Sequence, residues 1–280
     1  MTTSTALRDR TVTVRGLVFH SVEWGDPAGR PLVLLHGITG HARTWDRLAA
    51  DLAGSFRVIA LDQRGHGDSP AAPDADYTMG TMAQDLGGFA DALGLATFTL
   101  LGLSMGGRVA IAYAGVNPAR VERLVIVDIG PDIHPAGMER VRSMMAGASE
   151  SIASEAQAIE YIRRANPRYD DAELRHRVQH GLKRLPDGSL AWKYDKALRD
   201  MMRGGGRRAD MDLWGPLGRI TCPTLIVRGA ESDILSPEIA KRMLATLPDG
   251  RLAEVADAGH TVPGDQPDAF ARAVRSFLGV

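Results

Sequence analysis

The segment Leu100-Leu-Gly-Leu-Ser-Met-Gly-Gly-Arg108 sets a serine between glycines, Gly102-x-Ser104-x-Gly106. An apolar run precedes it and an apolar helical stretch follows. A serine on a sharp strand-to-helix turn is exposed as a nucleophile, and small neighbours let the two backbones approach closely. The N–H of Met105 then faces the reacting centre, with the positive end of the next helix behind it. A plain glycine-rich turn has the same spacing, so the chemistry is read from the strand–turn–helix context.

A serine at its free pKa needs a base. Eight histidines compete: His20, His36, His41, His66, His134, His176, His180 and His260. His20 alternates within an early strand, and His36 and His66 sit in glycine-flanked turns where an imidazole serves the backbone. His41 follows Gly40 near the expected rim of the site. His260 follows the last strand, in Ala256-Asp-Ala-Gly-His-Thr-Val262. That position fits the chain order serine, acid, histidine, and makes His260 the expected base.

These residues must be held by a sheet. Short apolar runs at Thr11–Val14, Val18–Glu23, Leu32–His36, Arg57–Leu61, Thr97–Leu103, Leu124–Asp128, Thr224–Gly229 and Arg251–Val255 read as strands. Several are continuously apolar, as strands covered on both faces are. Helical patterns at Thr44–Ala53, Met79–Leu93, Met105–Val116, Pro237–Leu247 and Pro267–Phe277 alternate with them. The alternation predicts a mainly parallel sheet covered on both faces. The Arg15-Gly16 turn predicts one antiparallel hairpin at an edge.

From Pro131 to Trp214 the pattern is helical, with no convincing strand, and it carries Met138, Met144, Met145, Met201, Met202 and Met211. We read residues 131–214 as a helical cap inserted into a core of residues 1–130 and 215–280. Its place is over the carboxyl ends of the strands, where ligands bind in open α/β sheets. Methionines and the run Gly204–Gly206 suit an adaptable lid. Arg203-Gly-Gly-Gly-Arg-Arg208 reads as a solvated loop. Arg140, Arg142, Arg163, Arg164, Arg168, Arg175 and Arg177 could include a clamp for a substrate carboxylate, though a solvated helix face accounts for most of them. Arg43 and Arg108 are read with the same reserve.

Composition narrows the rest. The 280 residues are 44% hydrophobic and 24% charged, an ordinary globular balance. Lys+Arg is 33 against 34 Asp+Glu, a net charge of −1. That offers no general attraction for nucleic acid or anionic membranes. Cys222 is the one cysteine, so no internal disulfide forms, and no Cys/His cluster suggests zinc. The first ten residues lack an apolar signal region, and no run approaches the length of a membrane span. The expected protein is cytoplasmic.

Four motifs in order, His36-Gly37-Ile38, Asp62-Gln-Arg-Gly-His-Gly-Asp-Ser69, Gly102-Leu-Ser-Met-Gly106 and Gly259-His260, resemble the α/β-hydrolase superfamily over residues 15–280. The resemblance implies an eight-stranded, mostly parallel sheet, a helical cap, a Ser/acid/His triad, no metal and no organic cofactor. It implies that the Ile38 N–H joins that of Met105 in an oxyanion hole, their side chains being free to line the pocket. It makes Asp62 to Ser69 a structural loop. Most of the superfamily places the acid as Gly-x-x-Asp after the strand at Thr224–Gly229. Here Gly229-Ala-Glu-Ser-Asp233 puts Ser232 at that position and displaces Asp233 by one. Asp128, in Val127-Asp-Ile-Gly-Pro131, ends the preceding strand. A smaller group, including short-chain esterases and 2-(acetamidomethylene)succinate hydrolase, uses an acid there. Asp128 is the preferred acid and Asp233 the alternative.

The expected activity is hydrolysis of a carboxylic ester of a small or medium-sized substrate through an acyl-enzyme. An amidase or C–C hydrolase of a catabolic pathway would use the same triad, as would a cofactor-free perhydrolase. A ligand-binding receptor of the same fold is the non-enzymatic alternative. The expected partner is a small-molecule ester or amide, with neither nucleic acid nor membrane, and a homodimer is compatible with this reading.

Overall fold

The computed structural model describes residues 7–203 and 211–280. The run Gly204–Gly206 and the first six residues lie outside the described residues. In chain order the strands are β1 (Arg8–Val14), β2 (Leu17–Trp24), β3 (Pro31–Leu35), β4 (Arg57–Leu61), β5 (Phe98–Leu103), β6 (Val121–Val127), β7 (Leu182–Arg184), β8 (Leu190–Trp192), β9 (Thr224–Gly229) and β10 (Gly250–Val255). The helices are α1 (Asp46–Leu52), α2 (Met79–Ala92), α3 (Met105–Val116), α4 (Pro135–Gly147), α5 (Glu155–Ala165), α6 (Asp171–Gly181), α7 (Lys196–Arg203), α8 (Trp214–Leu217), α9 (Pro237–Thr246), α10 (Val262–Asp265) and α11 (Pro267–Leu278). Eight strands form one sheet in the order β1-β2-β4-β3-β5-β6-β9-β10. β1 and β2 run antiparallel to their neighbours, and the other pairings are parallel.

The hairpin turns on Arg15 and Gly16, both with positive φ (51° and 81°), the pattern of a tight two-residue turn. The central strands carry continuous apolar stretches because both sheet faces are covered. Val33, Leu35, Leu124, Ile126 and Ile226 pack on one side against α2, α3, α8 and α9. Leu32, Leu34, Val125, Val127, Leu225 and Val227 pack on the other, against α1 and α11. Alternate residues of one strand thus serve two cores.

Between β6 and β9 the chain leaves the sheet. It forms α4 to α7 and a ribbon of β7 and β8, which the sequence pattern missed. This segment has a small core of its own around Ile152, Ala158, Val178, Leu182 and Leu190. It meets the sheet's loops where Tyr194, Leu198 and Met145 pack on Tyr77 and Ala72. No helix among the described residues is long and apolar enough to cross a membrane.

Candidate active site

Ser104 stands between β5 and α3 at φ 52°, ψ −117°, a conformation that L-residues rarely adopt. The flanking glycines permit it. A Cβ on Gly106 would lie 2.4 Å from the Leu35 carbonyl oxygen, and one on Gly102 would lie 2.3 Å from that of Gly106. Gly106→Ala should therefore destabilise the fold by about 2 kcal/mol or more, the scale of core overpacking. Urea unfolding measures this, and an unchanged midpoint would contradict the close approach.

His260 follows β10 and brings Nε2 to 2.9 Å from Ser104 Oγ. Its Nδ1 is 2.8 Å from Asp128 Oδ2. Asp128, at the end of β6, is fully buried and takes positive φ (49°). Its Oδ1 accepts the Gly229 N–H at 2.9 Å, and its Oδ2 also accepts the Ser232 hydroxyl. Asp233 is elsewhere: its two oxygens accept Arg140 Nε and Nη2 at 2.6 and 2.9 Å, and that guanidinium holds its carboxyl below the usual range. The geometry thus brings Ser104, His260 and Asp128 together and leaves Asp233 on an ion pair at the surface.

Two supporting residues escaped the sequence reading. Ser232 Oγ accepts the N–H groups of Ile234 and Leu235 at 3.1 and 3.2 Å, which fixes its hydroxyl to donate to Asp128. Asp265 accepts the Gly259 N–H at 2.8 Å and the Thr261 hydroxyl at 3.0 Å, holding the loop that carries His260. Burial pushes the Asp265 pKa up. In the sequence Ser232 stood out only as the occupant of the ordinary acid position, and Asp265 only by its nearness to His260.

Two N–H groups border Ser104. Met105 opens α3, so its N–H has no acceptor within the helix. The Ile38 N–H donates to no group among the described residues. Gly37 brings this loop against the serine, since a Cβ there would stand 3.3 Å from Ser104 Cβ. The Ile38 side chain lines the cleft above Ser104, whereas Met105 packs into the sheet's core.

That cleft has a volume of about 110 Å³. Residues from α4, α5, α6 and β8 form its roof, and His41 and Ile38 form part of its wall. Most arginines of the roof segment are committed elsewhere. Arg142, Arg163, Arg164 and Arg168 pair with Glu139, Asp171, Glu160 and Glu231. Arg43 pairs with Asp46, and the buried Arg108 donates to the Gly130 and Pro131 carbonyls. Two groups, Asp46 with His176 and His180, and His20 with Asp62 and Asp68, bring ligand-type atoms within 4.8 Å of one another. Spacing did not reveal them, because each joins distant segments. Arg43 already holds the Asp46 carboxylate, and backbone N–H groups hold Asp62. Neither group lines the cleft over Ser104.

His36 and His66 serve the backbone, His36 through the Gly37 carbonyl and the Gln63 N–H, and His66 through the Arg64 carbonyl. Burial drives the His66 pKa down to about 3. The Asp62 loop has an electrostatic centre. Burial alone would raise the Asp62 pKa, but the hydrogen bond to His20, the field of His36 and the Asp68 and Ala42 N–H groups bring it to about 2. A depressed carboxyl stabilises the fold above its unfolded pKa, and that stability disappears as pH falls through the folded value. Between 3.8 and about 2 the loss amounts to about 2 kcal/mol. Asp62→Asn should lower stability at pH 7 and flatten its decline from pH 4 to pH 2. An equally steep acid limb in the variant would refute the assignment.

The alpha/beta hydrolase fold family pattern matches residues 30–267. The chain is 31% identical to esterase YbfF of Escherichia coli over 250 residues, 89% of this chain and 92% of that protein. It is 31% identical to N-formylmaleamate deformylase of Pseudomonas putida over 277 residues, 98% of each. The crystal structure of E-2-(acetamidomethylene)succinate hydrolase superposes with a TM-score of 0.89 at 26% identity, covering 98% of this chain and all of the other.

Proposed function

The chain belongs to the α/β-hydrolase fold family, and we propose that it is a serine hydrolase that cleaves a carboxylic ester of a small or medium-sized substrate through an acyl-enzyme. One observation carries the reading: the unbroken line from Ser104 Oγ through both nitrogens of His260 to the buried Asp128 carboxylate. Ser104 attacks the carbonyl carbon and His260 Nε2 takes its proton. Asp128 keeps the Nδ1 proton in place and stabilises the imidazolium. The N–H groups of Ile38 and Met105 hold the oxyanion, each contributing on the order of 3 kcal/mol in the transition state. His260 then protonates the leaving alcohol, and water, activated by the same imidazole, releases the acid.

The volume supports the substrate size. At ~10–15 Å³ per water-sized sphere, about 110 Å³ accommodates roughly seven to eleven such spheres. The segment between β6 and β9 acts as the cap that selects the substrate, because its α4, α5, α6 and β8 supply the cleft's roof. Amide cleavage is the second reading. The similarity to a deformylase over 98% of both chains favours it, and the same groups would protonate an amine leaving group. The test is a serine-directed phosphonate. It should label the protein once, at Ser104, and abolish hydrolysis of 4-nitrophenyl acetate in step. Labelling at another residue would overturn the reading.

A further inference from the structure

The cleft contains hydrogen-bond donors that no protein oxygen satisfies. Trp192 lines it, and its Nε1–H, which can only donate, is buried without a partner. His41 lines it at 4% exposure, and its Nε2 is likewise buried without a partner. Arg177 lines it as well. Its Nε donates to Glu173 at 2.6 Å and its Nη1 reaches Thr44 Oγ1 only at 3.4 Å. Its Nη2 has no acceptor among the described residues. Arg140, the other guanidinium lining the cleft, is held on Asp233 through two nitrogens.

The segments that carry these donors meet around Gly181. That residue lies one helical turn beyond Arg177 on α6, so both belong to one helix face. A Cβ on Gly181 would stand 3.5 Å from His41 Nε2. The Gly181 carbonyl accepts the N–H of Lys193, the residue after Trp192, at 2.8 Å. Nearby, the Tyr161 hydroxyl donates to the Met144 carbonyl at 2.6 Å. A buried donor left without an acceptor destabilises the site that holds it. Two in one cleft, beside a half-buried guanidinium, call for a ligand rich in acceptors and negative in charge.

We propose that this end of the cleft is a subsite for a carboxylate carried by the substrate, held by Arg177 with His41 and Trp192. The proposal rests on the reading of Ser104 as nucleophile and adds a substrate class: esters or amides whose acyl part ends in a carboxylate. A carboxylate offers about four lone-pair sites and so can satisfy all three donors. The Arg177 guanidinium supplies the charge-assisted bond. Burial, and then the field of Arg177, keep His41 neutral, so it presents one N–H without adding a second charge to desolvate.

The experiment compares mono-4-nitrophenyl esters of the C4 to C6 dicarboxylic acids with their neutral monoamides. Wild-type kcat/KM should favour the acids roughly 10- to 100-fold, the range of a charge-assisted hydrogen bond. Arg177→Met should erase the preference and Arg177→Lys should retain part of it. Hydrolysis of 4-nitrophenyl acetate reports the Ser104 chemistry separately. Acetate turnover without a wild-type preference for the acids overturns the subsite and leaves the hydrolase reading standing, as does a preference that survives Arg177→Met. If no ester is cleaved, the hydrolase reading fails. Calorimetric titration with glutarate then decides the subsite: binding lost in Arg177→Met supports it, and no binding to wild type overturns it.

Discussion

Ser104→Ala should lower kcat for 4-nitrophenyl acetate by about 10⁶-fold, the loss seen when a serine–histidine unit loses its nucleophile. The fall is this large because the three residues act as one device. Without the Ser104 oxygen, His260 has no proton to accept and the acyl-enzyme cannot form. Residual rate above buffer would come from binding and from the N–H groups of Ile38 and Met105. The far-UV circular dichroism spectrum should not change, since the alanine keeps the backbone and removes one oxygen that contacts His260 Nε2. A variant with full activity would place the nucleophile elsewhere.

The sheet was legible because its strands carry apolar residues at consecutive positions. Residues 124–127 and 225–227 are covered on both faces, and such strands keep an unbroken apolar run. Prolines near helix starts, Pro237 and Pro267, located two helices closely. The β7–β8 ribbon was not legible. Each of its strands has three residues, too few for a period of two to register. The turn between them did leave a signal in Pro186-Asp-Gly188, and Gly188 takes positive φ (85°). The expected helix at Thr44–Ala53 splits into a 3-10 turn at Ala42–Trp45 followed by α1.

The site was partly legible. Ser104 and His260 stand in local contexts that specify strand–turn–helix and strand–loop–helix. The cleft around Gly181 was not, because its members come from positions 41, 177 and 192, and no spacing connects a loop after β3 with α6 and β8. The seven arginines of the segment also differ physically. Most find a carboxylate within the segment or across from it, while Arg177 keeps an edge toward the cleft.

Local pattern favoured Asp128 over Asp233 only through the displacement of Asp233 by one position, since both follow core strands. What separates them in space is Arg140, 93 positions before Asp233, which occupies both of its oxygens. Asp128 is instead enclosed by the Gly229 N–H, the Ser232 hydroxyl and His260 Nδ1. These contacts give both oxygens of the carboxylate donors and aim it at the ring. Asp128→Asn keeps the size but removes the charge, and its amide can present an N–H to Nδ1, which holds His260 in the wrong tautomer. In a serine protease that change lowers kcat by ~10⁴-fold. The same order of loss is expected here, with little change in KM where KM reports binding. Asp233→Asn should cost far less, since it weakens a partly exposed pair with Arg140 and leaves His260 untouched. Steady-state kinetics of the two variants on 4-nitrophenyl acetate provide the comparison. A reversed order would move the acid to the loop after β9 and require Asp233 to leave Arg140 before His260 could use it.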